Sequence, residues 1–228
     1  MQSELKKSLE LIFGHSPTMV VAGRTDRGVH AEGQVVNFLS AFLISPDSLK
    51  KALNGLLPHD MRVRAVETVP FDFHARKSAK SREYRYWFAQ NLLDLPVFVW
   101  EFVEHFPYTI VLDDGKIFES LFLGCHDFEW FKCAGSPFRS LKKTIIDFQL
   151  HKIMLQGCST GDGLPVYEVR IVSDGFLYKM MRNIVGSIWE VMKGVRTIEE
   201  LKNMIQKEKP FRYKTAGPKG LTLVKVNY

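Results

Sequence analysis

The order in which helical and strand periods alternate constrains the fold of this chain more than any single residue. Leu5, Leu9, Ile12 and Phe13 recur at helical spacing over residues 3–13, so the chain opens on an amphipathic helix with no strand before it. Strand-like segments follow at 18–22 and 34–39. Ser45-Pro46-Asp47 starts a second helix, with Ser45 as N-cap and Pro46 at the first helical position, ending near Leu57 before Pro58. Strands near 62–69 and 81–89 complete an α-β-β-α-β order, which asks for helices on one face of a mostly antiparallel sheet. The second half repeats this texture: helices over 115–123, 177–193 and 198–207, and strands over 144–153, 166–172 and 221–226. The acidic, aromatic stretch 94–107 reads as a surface excursion.

The 228 residues suffice for one large domain or two lobes sharing a core. Apolar residues at 46% and charged residues at 25% describe an ordinary globular chain rather than a disordered one. Thirty-one Lys and Arg against 25 Asp and Glu leave a net charge of +6, which leans toward a polyanionic partner without naming one. Three cysteines, Cys125, Cys133 and Cys158, form no C-x-x-C pair, so neither a disulfide framework nor a zinc ribbon is suggested and a reducing cytosol fits best. No apolar run approaches a membrane span, and no signal-peptide pattern precedes the first helix.

Three places carry candidate chemistry. Gly23-Arg24-Thr25-Asp26-Arg27-Gly28 is a polar, glycine-bracketed loop between two strands, where flanking arginines suit Asp26 to act as a nucleophile or base. An Asp that merely satisfies turn amides is the plainer reading. Around Lys80-Ser81-Arg82-Glu83-Tyr84-Arg85-Tyr86, strand alternation puts Lys80, Arg82, Tyr84 and Tyr86 on one face, a mixture that suits phosphates and unstacked bases. A solvated face whose tyrosines pack in the core would look the same. Arg182 flanks an apolar stripe of Leu177, Met180, Met181, Ile184, Val185, Ile188 and Met192, where an arginine needs a partner. A carboxylate such as Asp26 could be that partner. His126, Asp127, His151 and the cysteines match no common metal-ligand spacing. Neither a G-x-x-x-x-G-K-[ST] loop nor a G-x-S-x-G elbow occurs, which removes the usual support for nucleotide hydrolysis and serine-hydrolase chemistry.

Taken together, the motifs resemble those of the tRNA pseudouridine synthase A family. The blocks are Ala22-Gly23-Arg24-Thr25-Asp26 with Gly28-Val29-His30-Ala31 and Gly33-Gln34-Val35; Asp72-Phe73-His74-Ala75-Arg76; Arg82-Glu83-Tyr84-Arg85-Tyr86; Gly124-Cys125-His126-Asp127-Phe128; Phe176-Leu177-Tyr178 with Met181-Arg182-Asn183-Ile184-Val185-Gly186; and Thr215-Ala216-Gly217-Pro218. Several blocks in order along nearly the whole chain are more specific than any one of them.

The resemblance implies an α+β fold of two ferredoxin-like lobes, 1–71 and 72–228, with mostly antiparallel sheets packed against helices and the active cleft between them. It implies an isomerase that detaches uracil from its ribose, turns the base and rejoins it through carbon in the anticodon stem-loop of tRNA, with no metal or organic cofactor. Asp26 would be the essential aspartate, and Tyr84 the tyrosine that stacks on the target base and helps in proton removal. Arg182 would pair with the aspartate, and Arg24 would help open the RNA at the target. The partners implied are tRNA and a second copy of the chain, in the cytoplasm. Two departures stand out: the family's usual first strand is expected to be missing, and Arg27 stands where the family commonly has a small residue. A catalytically inactive RNA-binding protein of the same fold has no need of Asp26, and a metal enzyme unrelated to RNA would rest on the Cys and His residues.

Overall fold

A computed structural model describes residues 1–40, 43–111, 114–133, 140–155 and 164–228, so Cys158 lies outside the described residues. In chain order the elements are α1 (Gln2–Phe13), β1 (Met19–Val21), β2 (His30–Ala31), β3 (Val36–Phe38), α2 (Pro46–Leu56), β4 (Ser81–Ala89), β5 (Glu104–His105), α3 (Gly115–Phe122), β6 (Gly124–Asp127), β7 (Lys142–Leu155), β8 (Leu164–Ser173), α4 (Met180–Met192), α5 (Ile198–Ile205) and β9 (Leu221–Asn227). They form an α+β fold whose strand pairings are antiparallel except β2 with β9 and β4 with β5.

The chain divides into two compact units, one of residues 1–24 and 35–79, the other of 25–34 and 80–228. The division expected at 71/72 differs in two ways: the boundary falls after residue 79, and the loop carrying Asp26 groups with the second unit. The cause is local, because β2 pairs in parallel with β9, His30 opposite Thr222 and Ala31 opposite Leu223.

In the first unit, β1 and β3 pair antiparallel, with Val20 opposite Asn37. Helices α1 and α2 contribute Leu9, Phe13, Leu49 and Leu53 to a common apolar cluster. The cap read from sequence forms, the Ser45 side chain accepting from the Ser48 amide at the start of α2, while Gly14 closes α1 in the left-handed region at φ 71°. The strand expected at 62–69 does not form. Val63 spends both backbone groups on the Asn54 side chain, donating to Oδ1 at 2.8 Å and accepting from Nδ2 at 3.0 Å. Met61, Val63 and Val66 are nevertheless partly buried against the cluster. The apolar alternation is therefore real, but it serves packing without a ladder.

The second unit is built on a seven-stranded sheet, ordered β2-β9-β4-β8-β7-β6 with β5 on the far end of β4. Tyr84, Tyr86 and Phe88 lie on the buried side of β4, as strand alternation requires. They meet α4, whose Met180, Met181, Ile184, Val185, Ile188 and Met192 are all buried. Trp189 of α4 packs edge-on against Phe88 and Tyr86. Burying each such ring contributes about 1.5–3 kcal/mol before entropy is counted, so this inner face is a substantial part of the unit's core. The stretch 94–107 is less superficial than expected: Leu95, Val103 and Phe106 are buried, whereas Val97 and Phe98 are exposed.

Candidate active site

Asp26 and Arg182, 156 residues apart, form an ion pair: Arg182 Nη1 donates to Asp26 Oδ2 at 2.8 Å. The side chains are 26% and 12% exposed, so the pair sits at the edge of the core and one group reaches solvent. Asp26 Oδ1 accepts no hydrogen bond from the described residues. One carboxylate oxygen is thus fixed by a guanidinium while the other stays available, a geometry that suits a nucleophile or a base.

The carboxylate is held from two directions. On the loop side, Val29 N–H donates to Asp26 carbonyl oxygen at 3.1 Å, and Gly28 adopts the left-handed φ of 82° that closes this turn beside Pro218. Beyond it, the amides of Glu32 and Gly33 donate to Leu223 carbonyl oxygen, tying the loop to β9. Only a glycine fits at 33, because a Cβ there would stand on the Val224 carbonyl. His30 adds a second tie: its Nε2 lies 2.7 Å from the Glu101 carbonyl oxygen and its ring 4.6 Å from that of Phe102.

On the helix side, Arg182 Nε donates to Ala216 carbonyl oxygen at 2.7 Å, and the Ala216 amide donates back to the Arg182 carbonyl. The next residue repeats the grip, since Asn183 accepts from Thr215 hydroxyl at 2.7 Å and donates to the Phe131 carbonyl. Residues 215–217 therefore form a strap along α4 that fixes the guanidinium before any ligand arrives. Pre-organisation of this kind lowers the cost of orienting a charged group during reaction.

Tyr84 lies on β4, 8% exposed, with the ring of Phe176 edge-on at a centroid distance of 4.8 Å. Burial pushes its phenol up to about 12, with the Arg82 charge acting downward and the Asp26 charge upward. The hydroxyl is therefore protonated across the cellular pH range, and it senses the Asp26 charge. Arg24 belongs to the first unit and Arg27 to the second; both are exposed, and neither makes a hydrogen bond or ion pair with the described residues. Of the four residues singled out from sequence, Asp26, Tyr84 and Arg182 fall in the same unit and Arg24 does not. The Ala216 carbonyl that anchors Arg182 is a backbone group with no residue-type signal in the sequence. Among the described residues no group of three His, Cys, Asp or Glu is placed to hold a metal ion.

Similarity to known proteins decides the family. The family described as tRNA pseudouridine synthase matches residues 120–228. A tRNA pseudouridine synthase A from Geobacillus sp. (strain WCH70) is 38% identical over 232 aligned residues, covering 100% of this chain and 88% of that protein. Proteins of the same name from Anoxybacillus flavithermus and Acetivibrio thermocellus are 36% and 34% identical, covering 100% of this chain and 89% of each relative. The chain belongs to the tRNA pseudouridine synthase A family. The matched stretch 120–228 contains Arg182 and the strap but not Asp26 or Tyr84. The full-length relatives extend the match over those two residues.

Proposed function

We propose that this chain is an isomerase converting uridine to pseudouridine in the anticodon stem-loop of tRNA, with Asp26 as its catalytic carboxylate. The observation that carries the reading is the Asp26–Arg182 pair, with one carboxylate oxygen fixed and the other free, in a chain of this family. The reaction breaks the bond from ribose C1′ to uracil N1, forms one from C1′ to C5, and moves the C5 proton to N1, so no atom is gained or lost. Asp26 acts on the ribose, as nucleophile or as the base that deprotonates it. Arg182 orients the carboxylate and Tyr84 contacts the turning base, which must leave its stack before chemistry. Arg24 contacts the RNA beside the target.

Incubating unmodified tRNA transcripts with the protein, then mapping carbodiimide-blocked primer extension, is expected to give stops in the anticodon arm. Bound but unmodified tRNA would instead favour an RNA-binding protein of the same fold. Because burial raises its phenol to about 12, Tyr84 is neutral at working pH and serves as a hydrogen-bond donor rather than as a standing phenolate. Tyr84→Phe is then expected to slow single-turnover conversion by roughly 10–100-fold with tRNA affinity within about twofold. An unchanged rate would leave only the ring, and not its hydroxyl, in the reaction. Homodimer assembly and a cytoplasmic location complete the proposal, the first checked by light scattering. No helix among the described residues is long and apolar enough to cross a membrane.

A further inference from the structure

Glu104 lies in β5 opposite Phe88 of β4. Its Oε2 is buried and accepts no hydrogen bond from the described residues, a position that costs free energy unless charge compensates. The carboxylate lies against Gly217, where a Cβ would overlap both of its oxygens. Gly217 is the end of the strap: Ala216 before it accepts from Arg182 Nε, and its own carbonyl accepts from Tyr86 hydroxyl at 2.9 Å.

The charged and titratable groups facing Glu104 are Tyr86 from β4, Arg182 from α4 and Lys219 from the turn that follows the strap. Burial pushes the Glu104 carboxyl up from its ordinary range, while Lys219, Arg182 and the backbone amides of Lys219 and Gly220 act downward. Arg182 thus pairs directly with Asp26, and the strap that holds it at Ala216 ends on Gly217, against which the Glu104 carboxylate packs.

We propose that Glu104 is a positioning residue of the Asp26–Arg182 pair, a second carboxylate drawing on the same guanidinium, so that charge at Asp26 and charge beneath the strap are coupled. Its consequence for turnover rests on the pseudouridine synthase reading, but the coupling is a property of the free protein. Coupling of this kind is reciprocal, which makes it measurable from the Glu104 side.

The test is a carboxyl-carbon NMR titration of the full chain, with the Glu104 signal assigned by its loss in Glu104→Gln. Glu104 is expected to titrate above the exposed glutamates. Its midpoint should fall by about half a pH unit or more in Asp26→Asn, where Arg182 is no longer shared, and rise in Arg182→Met. A midpoint unmoved by Asp26→Asn overturns the proposal. In the activity assay, Glu104→Gln removes the competing charge while keeping the shape. Gln matches the protonated form of Glu104, so kcat/KM should equal the parent's below the Glu104 midpoint and differ only above it, with KM for tRNA unchanged. An equal loss at every pH marks a merely structural residue and also overturns it. Because the NMR arm needs no turnover, a protein that shows the coupling but makes no pseudouridine would overturn the functional reading alone.

Discussion

Asp26→Asn is expected to abolish pseudouridine formation, with a loss of at least about 10³-fold in single turnover. The change keeps the shape of the side chain but removes its charge, and with it the ability to act as nucleophile or base. Arg182 would keep its bond to the Ala216 carbonyl, so the strap and the helix are expected to stay in place. The variant is one unit more positive, and its tRNA affinity should be equal to or slightly above that of the parent chain. Circular dichroism and a binding curve in the same buffer separate this outcome from misfolding. Activity retained within about tenfold would remove Asp26 from the chemistry.

The largest effect on stability is expected from Gly186→Ala in the middle of α4. In a solvent-facing helix interior this exchange gains up to about 1 kcal/mol from helix propensity. Here the new methyl group would stand on the Lys214 carbonyl oxygen and press on the Ala216 amide, and overpacking against backbone costs about 1–3 kcal/mol. The steric cost outweighs the propensity gain, so the melting temperature should fall by several degrees. Activity should fall further than stability, because the displaced segment holds the Arg182 guanidinium. Gly55→Ala is the matching control: Gly55 lies in α2 with open space where its Cβ would be, and the same exchange should stabilise by roughly 0.5–1 kcal/mol. If both variants shifted the same way, the close approach of residues 214–216 to α4 would not be what Gly186 provides.

Elements whose partners are close in sequence, or whose period is long, were legible before the structure. The helix at Gln2–Phe13, the Ser45 cap, the strand at Ser81–Ala89 and the helix at Met180–Met192 lie within a few residues of their expected positions. The two-residue strands His30–Ala31 and Glu104–His105 were not legible, since too few residues take part for a period to show. The first pairs with Thr222 and Leu223 at the other end of the chain, which local patterns do not record, and the second with the end of β4. The misread strand at 62–69 has the opposite cause: its alternation is present, but the Asn54 side chain takes the bonds a ladder would have used. At the site, the need of Arg182 for a partner could be argued from an apolar stripe, whereas its second anchor at Ala216 is a backbone carbonyl with no residue-type signature. The tyrosines of β4 were ambiguous between a binding face and a core; Tyr86 is buried and Tyr84 only 8% exposed, so both are packed inside.

Residues 25–34 belong with 80–228 although in sequence they fall between the two segments, 1–24 and 35–79, of the other unit. The chain therefore enters the second unit, leaves it and returns, and no single cut yields two self-sufficient pieces. A fragment beginning at residue 80 would carry Arg182 and its strap, and β4 beside β9, but neither Asp26 nor β2, the parallel neighbour of β9. Removing everything before residue 80 would leave the Arg182 guanidinium on the Ala216 carbonyl without its carboxylate partner. The ion pair therefore exists only where the short loop and the long remainder fold as one unit.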